Sequence, residues 1–121
     1  MAPDLVADDD QSIGDDVVLW RGIAPEQIKP DGTASDGAFR TKEMSVFIAA
    51  ETDRAAVLAK LGPGMRLRRF TARNVRDAGG IVRRAPEGGP GHCVVVPSTN
   101  PGGRLSPANA HALNEAAHWE T

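Results

Sequence analysis

The sequence predicts an α+β fold: a single compact domain with a mixed sheet of about five strands, two main helices and short helical turns. Three observations carry this expectation. Short runs rich in Val, Ile and Leu recur along the chain, each bounded by Gly, Pro, Asn or Asp. Two longer segments begin with a capping residue and keep an apolar period suited to a helix. A length of 121 residues leaves room for one core and no second domain.

The elements follow in order. Val17 to Ile23 is a continuous apolar strand suited to a central position. Pro25 to Ile28 makes one helical turn, with Pro at its first position. Lys29 to Gly37 is a loop, because Pro30-Asp31-Gly32 is turn chemistry and Thr33, Ser35, Asp36 and Gly37 add no apolar period. Met44 to Ala49 is the second strand, with Met44, Val46 and Ile48 on one face and Ser45 and Phe47 on the other.

Thr52-Asp53 caps a helix through Leu61, which Gly62 and Pro63 stop. Met65 to Phe70 alternates as a strand with one wet basic face. Thr71 caps a short helix, Ala72 to Asp77, broken by Gly79-Gly80. Ile81 to Arg84 and Cys93 to Val96 are strands joined by the Gly/Pro-rich linker Ala85 to Gly91. Ser106-Pro107 starts a last helix running to about Trp119.

Charge is unevenly placed. Residues 1–16 hold six Asp and no Lys or Arg, so the remainder carries a net +4 although the whole chain is at −2. This segment has no helical or strand period and reads as an acidic disordered tail before a domain spanning residues 17–121, or as an intramolecular mask over a basic face. Seven of the eleven arginines lie between Arg66 and Arg84. That density suits an anionic partner, but a single Phe70 for stacking and the acidic whole argue against nucleic acid and for a solvated, carboxylate-paired face.

With one cysteine, Cys93, neither an intramolecular disulfide nor a thiolate metal cluster is available; its apolar run predicts a buried, inert thiol. No apolar run approaches the ~20 residues of a membrane span, and Asp4 stands where a secretory signal carries Lys or Arg. The expectation is a cytoplasmic protein.

Candidate site residues come from polar groups set in or beside strands. Arg21 ends the first strand next to Gly22, which leaves space for close approach, and its fork can grip phosphate or carboxylate; stacking on Trp20 or pairing with Asp15 is the structural alternative. Ser45 offers a hydroxyl that either bonds backbone or meets a ligand. His92 sits at a strand entrance, where it either binds a loop carbonyl or acts as acid, base or donor. His111 and His118 share one face of the predicted last helix two turns apart, and Glu115 follows His111 by four, but three further ligands are missing; no metal is expected.

Leu19-Trp20-Arg21-Gly22, Ser35 to Phe39 and Met44-Ser45-Val46 resemble ADP-ribosyltransferase-like proteins, whose first strand carries an arginine and a later strand a serine motif. The resemblance covers about thirty residues of the chain and implies that Arg21 contacts NAD phosphates and that Ser45 supports the nicotinamide ribose. The family's Glu-x-Glu pair has no counterpart here, since Glu115 and Glu120 are not so spaced. The serine loop, Met-Ser-Val and late His-Cys-Val-Val also look like a group of short bacterial proteins of unassigned function.

Two functions follow from these residues. One is a binding module without a cofactor, in which Arg21, Arg40, Ser45 and His92 around the Lys29 to Lys42 loop hold an anionic small molecule or protein partner. The other is an NAD-consuming transferase in which Arg21 grips pyrophosphate and His92 or Glu51 handles the proton. Candidate catalytic groups are therefore His92, Glu51 and Ser45.

Overall fold

Six antiparallel strands form one open sheet in a computed structural model that describes residues 9–120. In chain order they are β1 (Val18–Ile23), β2 (Met44–Ile48), β3 (Arg66–Thr71), β4 (Gly80–Arg84), β5 (His92–Pro97) and β6 (His118–Trp119). The spatial order is β4-β5-β2-β1-β3-β6, so the apolar β1 lies centrally, as its unbroken run predicts. Three helices complete the α+β fold: α1 (Arg54–Leu61), α2 (Ala72–Asp77) and α3 (Pro107–Ala116). The sheet is antiparallel throughout rather than mixed, and it has six strands rather than five.

Local chemistry sets the helix starts. The Asp53 carboxylate accepts from the Ala56 N–H at 2.8 Å, and the Ser106 hydroxyl accepts from the Asn109 N–H at 3.1 Å with Pro107 in the first turn. Thr71 and Asn74 cap α2 reciprocally, each side chain accepting from the other's backbone N–H. Each such cap contributes about 1 kcal/mol.

The two faces of the sheet are covered differently. Leu19, Ile23, Met44, Val46, Phe70, Val82 and Val95 form the main core with Ile13, Phe39, Ala110 and Leu113, under α2, α3 and the 36–39 turn. Phe39 and Phe70 meet edge to face at 6.0 Å. On the opposite face α1 packs Val57 and Leu61 over Trp20, Phe47 and Leu67. A Cβ at Gly22 would lie 2.5 Å from Leu61 Cδ1, so the space expected beside Arg21 for a ligand is filled by α1.

Two expectations change at the chain's ends. The last helix stops at Ala116, and His118–Trp119 turns back to pair with β3. Ala116-Ala117-His118-Trp119 is compatible with helix, but the free edge of β3 offers ladder bonds and Trp119 stacks its ring over Arg66 at 4.0 Å, so tertiary contacts override local preference. His118 therefore leaves the helix face it was expected to share with His111.

The expected tail boundary at residue 16 also moves. Ile13 is fully buried, the Asp10 N–H donates to the Val82 carbonyl at 2.9 Å, and Asp9 accepts from the Val82 N–H at 3.1 Å. Residues 9–16 thus cover the outer edge of β4, which would otherwise present unpaired backbone groups. The part of the expected tail before Asp9 lies outside the described residues. Among the described residues, no helix is long and apolar enough to cross a membrane.

Candidate functional site

Alternation along the strands decides which candidate side chains can meet. Arg21 follows Leu19 and precedes Ile23, both in the main core, so its side chain leaves the sheet on the α2/α3 face. Ser45 shares its face with Phe47 and points to the α1 side. The four residues expected around one ligand therefore divide into two groups.

Arg21 is part-buried and donates three hydrogen bonds. Nε binds the Ala38 carbonyl at 3.1 Å, Nη1 the Ser45 backbone carbonyl at 3.1 Å, and Nη2 the Thr41 hydroxyl at 3.3 Å. Neither alternative proposed for it from sequence is realised. Trp20 lies on the other face with its indole N–H on Glu120, and Asp15 binds Arg76. No carboxylate among the described residues comes within 4 Å of the Arg21 guanidinium. Burial without a counter-charge pushes its pKa down to about 10. Arg40, in the same 36–41 segment, donates Nε to the Leu105 carbonyl at 2.8 Å and likewise has no carboxylate partner there.

On the other face Ser45 and His92 do meet. The His92 Nδ1 lies 2.8 Å from the Ala85 carbonyl and Nε2 lies 3.1 Å from Ser45 Oγ. A carbonyl only accepts, so in the neutral ring Nδ1 carries the proton and Nε2 accepts from the Ser45 hydroxyl. The loop-carbonyl bond of His92 is the structural reading made from sequence; the Ser45 hydroxyl finds an imidazole instead of backbone. The 85–91 turn is shaped around this ring, and Gly88 approaches it so closely that a Cβ has no room.

Glu51, the third catalytic candidate, is held by Arg84, with Nη1 and Nη2 donating to its two oxygens at 2.7 and 2.8 Å. That fork keeps Glu51 below the usual glutamate range and Arg84 above the usual arginine range. The pair lies between two cavities. One, of about 550 Å³, is bounded by Ile13, Val17, Val18, Ile48 and Ala49; the other, of about 320 Å³, by Pro86, Pro90 and His92. Cys93 is buried, and desolvation pushes its thiol up to about 11, which makes it a poor nucleophile.

The arginine-rich stretch resolves into individual roles. Arg69, Arg73, Arg76, Arg83 and Arg84 face carboxylates. Arg66 and Arg68 stack on Trp119, and Arg68 Nη2 also donates to the Asn114 and Ala117 carbonyls at the end of α3. The face expected to be wet is, at Arg68, a helix cap; α3's early termination, invisible in the local sequence, creates this use. Among the described residues, no three His, Cys, Asp or Glu side chains converge as metal ligands. No protein-family model, curated protein or solved structure matches the chain.

Proposed function

We propose that this chain is a small binding module that holds an anionic ligand, or an anionic group of a protein partner, at Arg21 and Arg40. The observation that carries the reading is the Arg21 guanidinium, part-buried yet facing only neutral oxygen atoms. A part-buried cation without a counter-charge is poorly solvated, and an incoming phosphate or carboxylate supplies what the chain does not. The Ala38 and Ser45 carbonyls fix the fork, so little side-chain entropy is lost on binding. Thr41 and Arg40 give the same segment a further hydroxyl and a second cation. The module works in the cytoplasm, in a bacterial setting, without a cofactor.

Titration with inorganic phosphate, followed by the arginine Nε–H NMR signals, tests the reading. Arg21 and Arg40 should shift saturably while Arg76 does not, and Arg21→Met should abolish the response. Equal, non-saturating shifts at all arginines would reject it.

The second reading, an NAD-consuming ADP-ribosyltransferase-like enzyme, draws on the Ser45–His92 hydrogen bond. It is less well supported, because it needs the Arg21 fork and the Ser45 hydroxyl in one cleft and these leave opposite faces of the sheet. Its test is nicotinamide release from NAD, lost in Arg21→Met.

A further inference from the structure

Another concave region lies between the 29–36 loop, β3 and α3, and neither Arg21 nor Arg40 lines it. It encloses about 310 Å³, at the lower end of the range for small-molecule sites, and is lined by charges of both signs. Arg68 and Lys29 supply the cations; Asp31, Asp36 and Glu115 the carboxylates.

Asn114 holds the two best-fixed charges apart. Its Nδ2 donates to Asp36 Oδ1 at 2.9 Å and to the Ala34 carbonyl at 2.8 Å, while its Oδ1 lies 3.5 Å from Arg68 Nη2. Arg68 and Asp36 form no ion pair with each other. His111 Nδ1, 3.0 Å from Asp36 Oδ2, fixes the carboxylate from the other side. The Asn114 hydrogen bond, followed by that of His111, holds Asp36 below the usual aspartate range, so it is ionised at neutral pH.

Arg68 is equally constrained. Nη2 is occupied by the α3 carbonyls at 3.0 and 2.8 Å, and the Trp119 ring lies 4.8 Å from the guanidinium carbon. Nη1 has no partner among the described residues and is not buried, whereas Nε is buried without an acceptor. Nη1 therefore keeps its donors for an external acceptor. A simple anion would meet Asp31, Asp36 and Glu115 as well, and a simple cation would meet Arg68 and Lys29. A molecule carrying both charges on adjacent groups satisfies both walls at once.

We propose that this cleft binds a free zwitterionic α-amino acid, its carboxylate toward Arg68 and Lys29 and its ammonium toward Asp36 and Glu115. Asn114 sets the separation of the two charges. The proposal does not rest on phosphate binding at Arg21, although Arg68 stands opposite Arg21 in the β1–β3 ladder.

The test compares a zwitterion with its two halves on the unaltered protein. L-Alanine in the millimolar range should shift the Asn114 side-chain amide and the His111 ring signals saturably, while propionate and ethylamine should each bind at least about tenfold more weakly. Asp36→Asn, which keeps an acceptor for Asn114, should weaken alanine by about the same factor. Absence of a saturable alanine shift, or propionate binding as well as alanine, overturns the proposal.

Discussion

Arg76 and Arg21 are both part-buried arginines fixed by several oxygen atoms, yet Arg76 meets two carboxylates and Arg21 meets none. Arg76 donates to Asp9 at 2.9 Å and Asp15 at 2.7 Å, and to the Asp10 and Ile13 carbonyls. Burial lowers its pKa, but the Asp15 and Asp9 hydrogen bonds outweigh that, and the net displacement is upward. At Arg21, desolvation acts alone and the displacement is downward. The difference separates a charge neutralised inside the fold from one that is not. Only the first is expected to matter chiefly for stability.

The largest effect should come from Arg76→Met. It strands Asp9, whose side chain is 16% exposed, and removes the ties that hold residues 9–15 to α2. A loss of about 2–3 kcal/mol is expected in urea unfolding, below the range for a fully buried pair because water reaches this one. An unchanged midpoint would remove the clamp from the account. Arg21→Met should cost less, about 1–2 kcal/mol, since it leaves carbonyls underbonded but no charge stranded. If Arg21→Met proves the more destabilising of the two, Arg21 is chiefly a structural tie and the contrast fails.

The smallest effect belongs to Arg84 and Glu51, an exposed version of the Arg76 arrangement at 41% and 39% exposure. Glu51 has its pKa lowered by the Arg84 hydrogen bonds, so its contribution is present above the ordinary glutamate value. It is lost as pH falls through the lowered, folded-state value. Solvent screening keeps it below about 1 kcal/mol. Arg84→Met should therefore trail the unaltered chain at neutral pH and approach it under acid conditions. A gap that stays constant with pH would assign the loss to packing instead of charge.

Much of the fold is legible locally. The helix starts at Asp53, Thr71 and Ser106 lie where capping chemistry places them, and the aliphatic runs are strands within one or two residues of their expected bounds. The last helix runs short because its end is decided by a β3 edge far away in sequence. The site is less legible. Arg21, Ser45 and His92 were recognisable as polar groups set at strands, and the Ser45–His92 contact follows from strand register, with Phe47 opposite His92 and Ser45 opposite Val94. Asp36, Arg68 and Asn114, which form the mixed-charge cleft, carried no joint signal, since each comes from a different element.

The sequence by itself determined the α+β class, the helix caps, the central place of β1, and the buried character of Cys93. These depend on periodicity and on neighbours within a few residues. Tertiary structure alone decided which arginines are neutralised and which are not. Arg76 finds Asp9 across 67 positions and Arg68 finds the end of α3 across 46, while Arg21 finds only two carbonyls and a hydroxyl. Charge pairing depends on distance in space, and one-dimensional order gives no measure of that until the strands have taken their register.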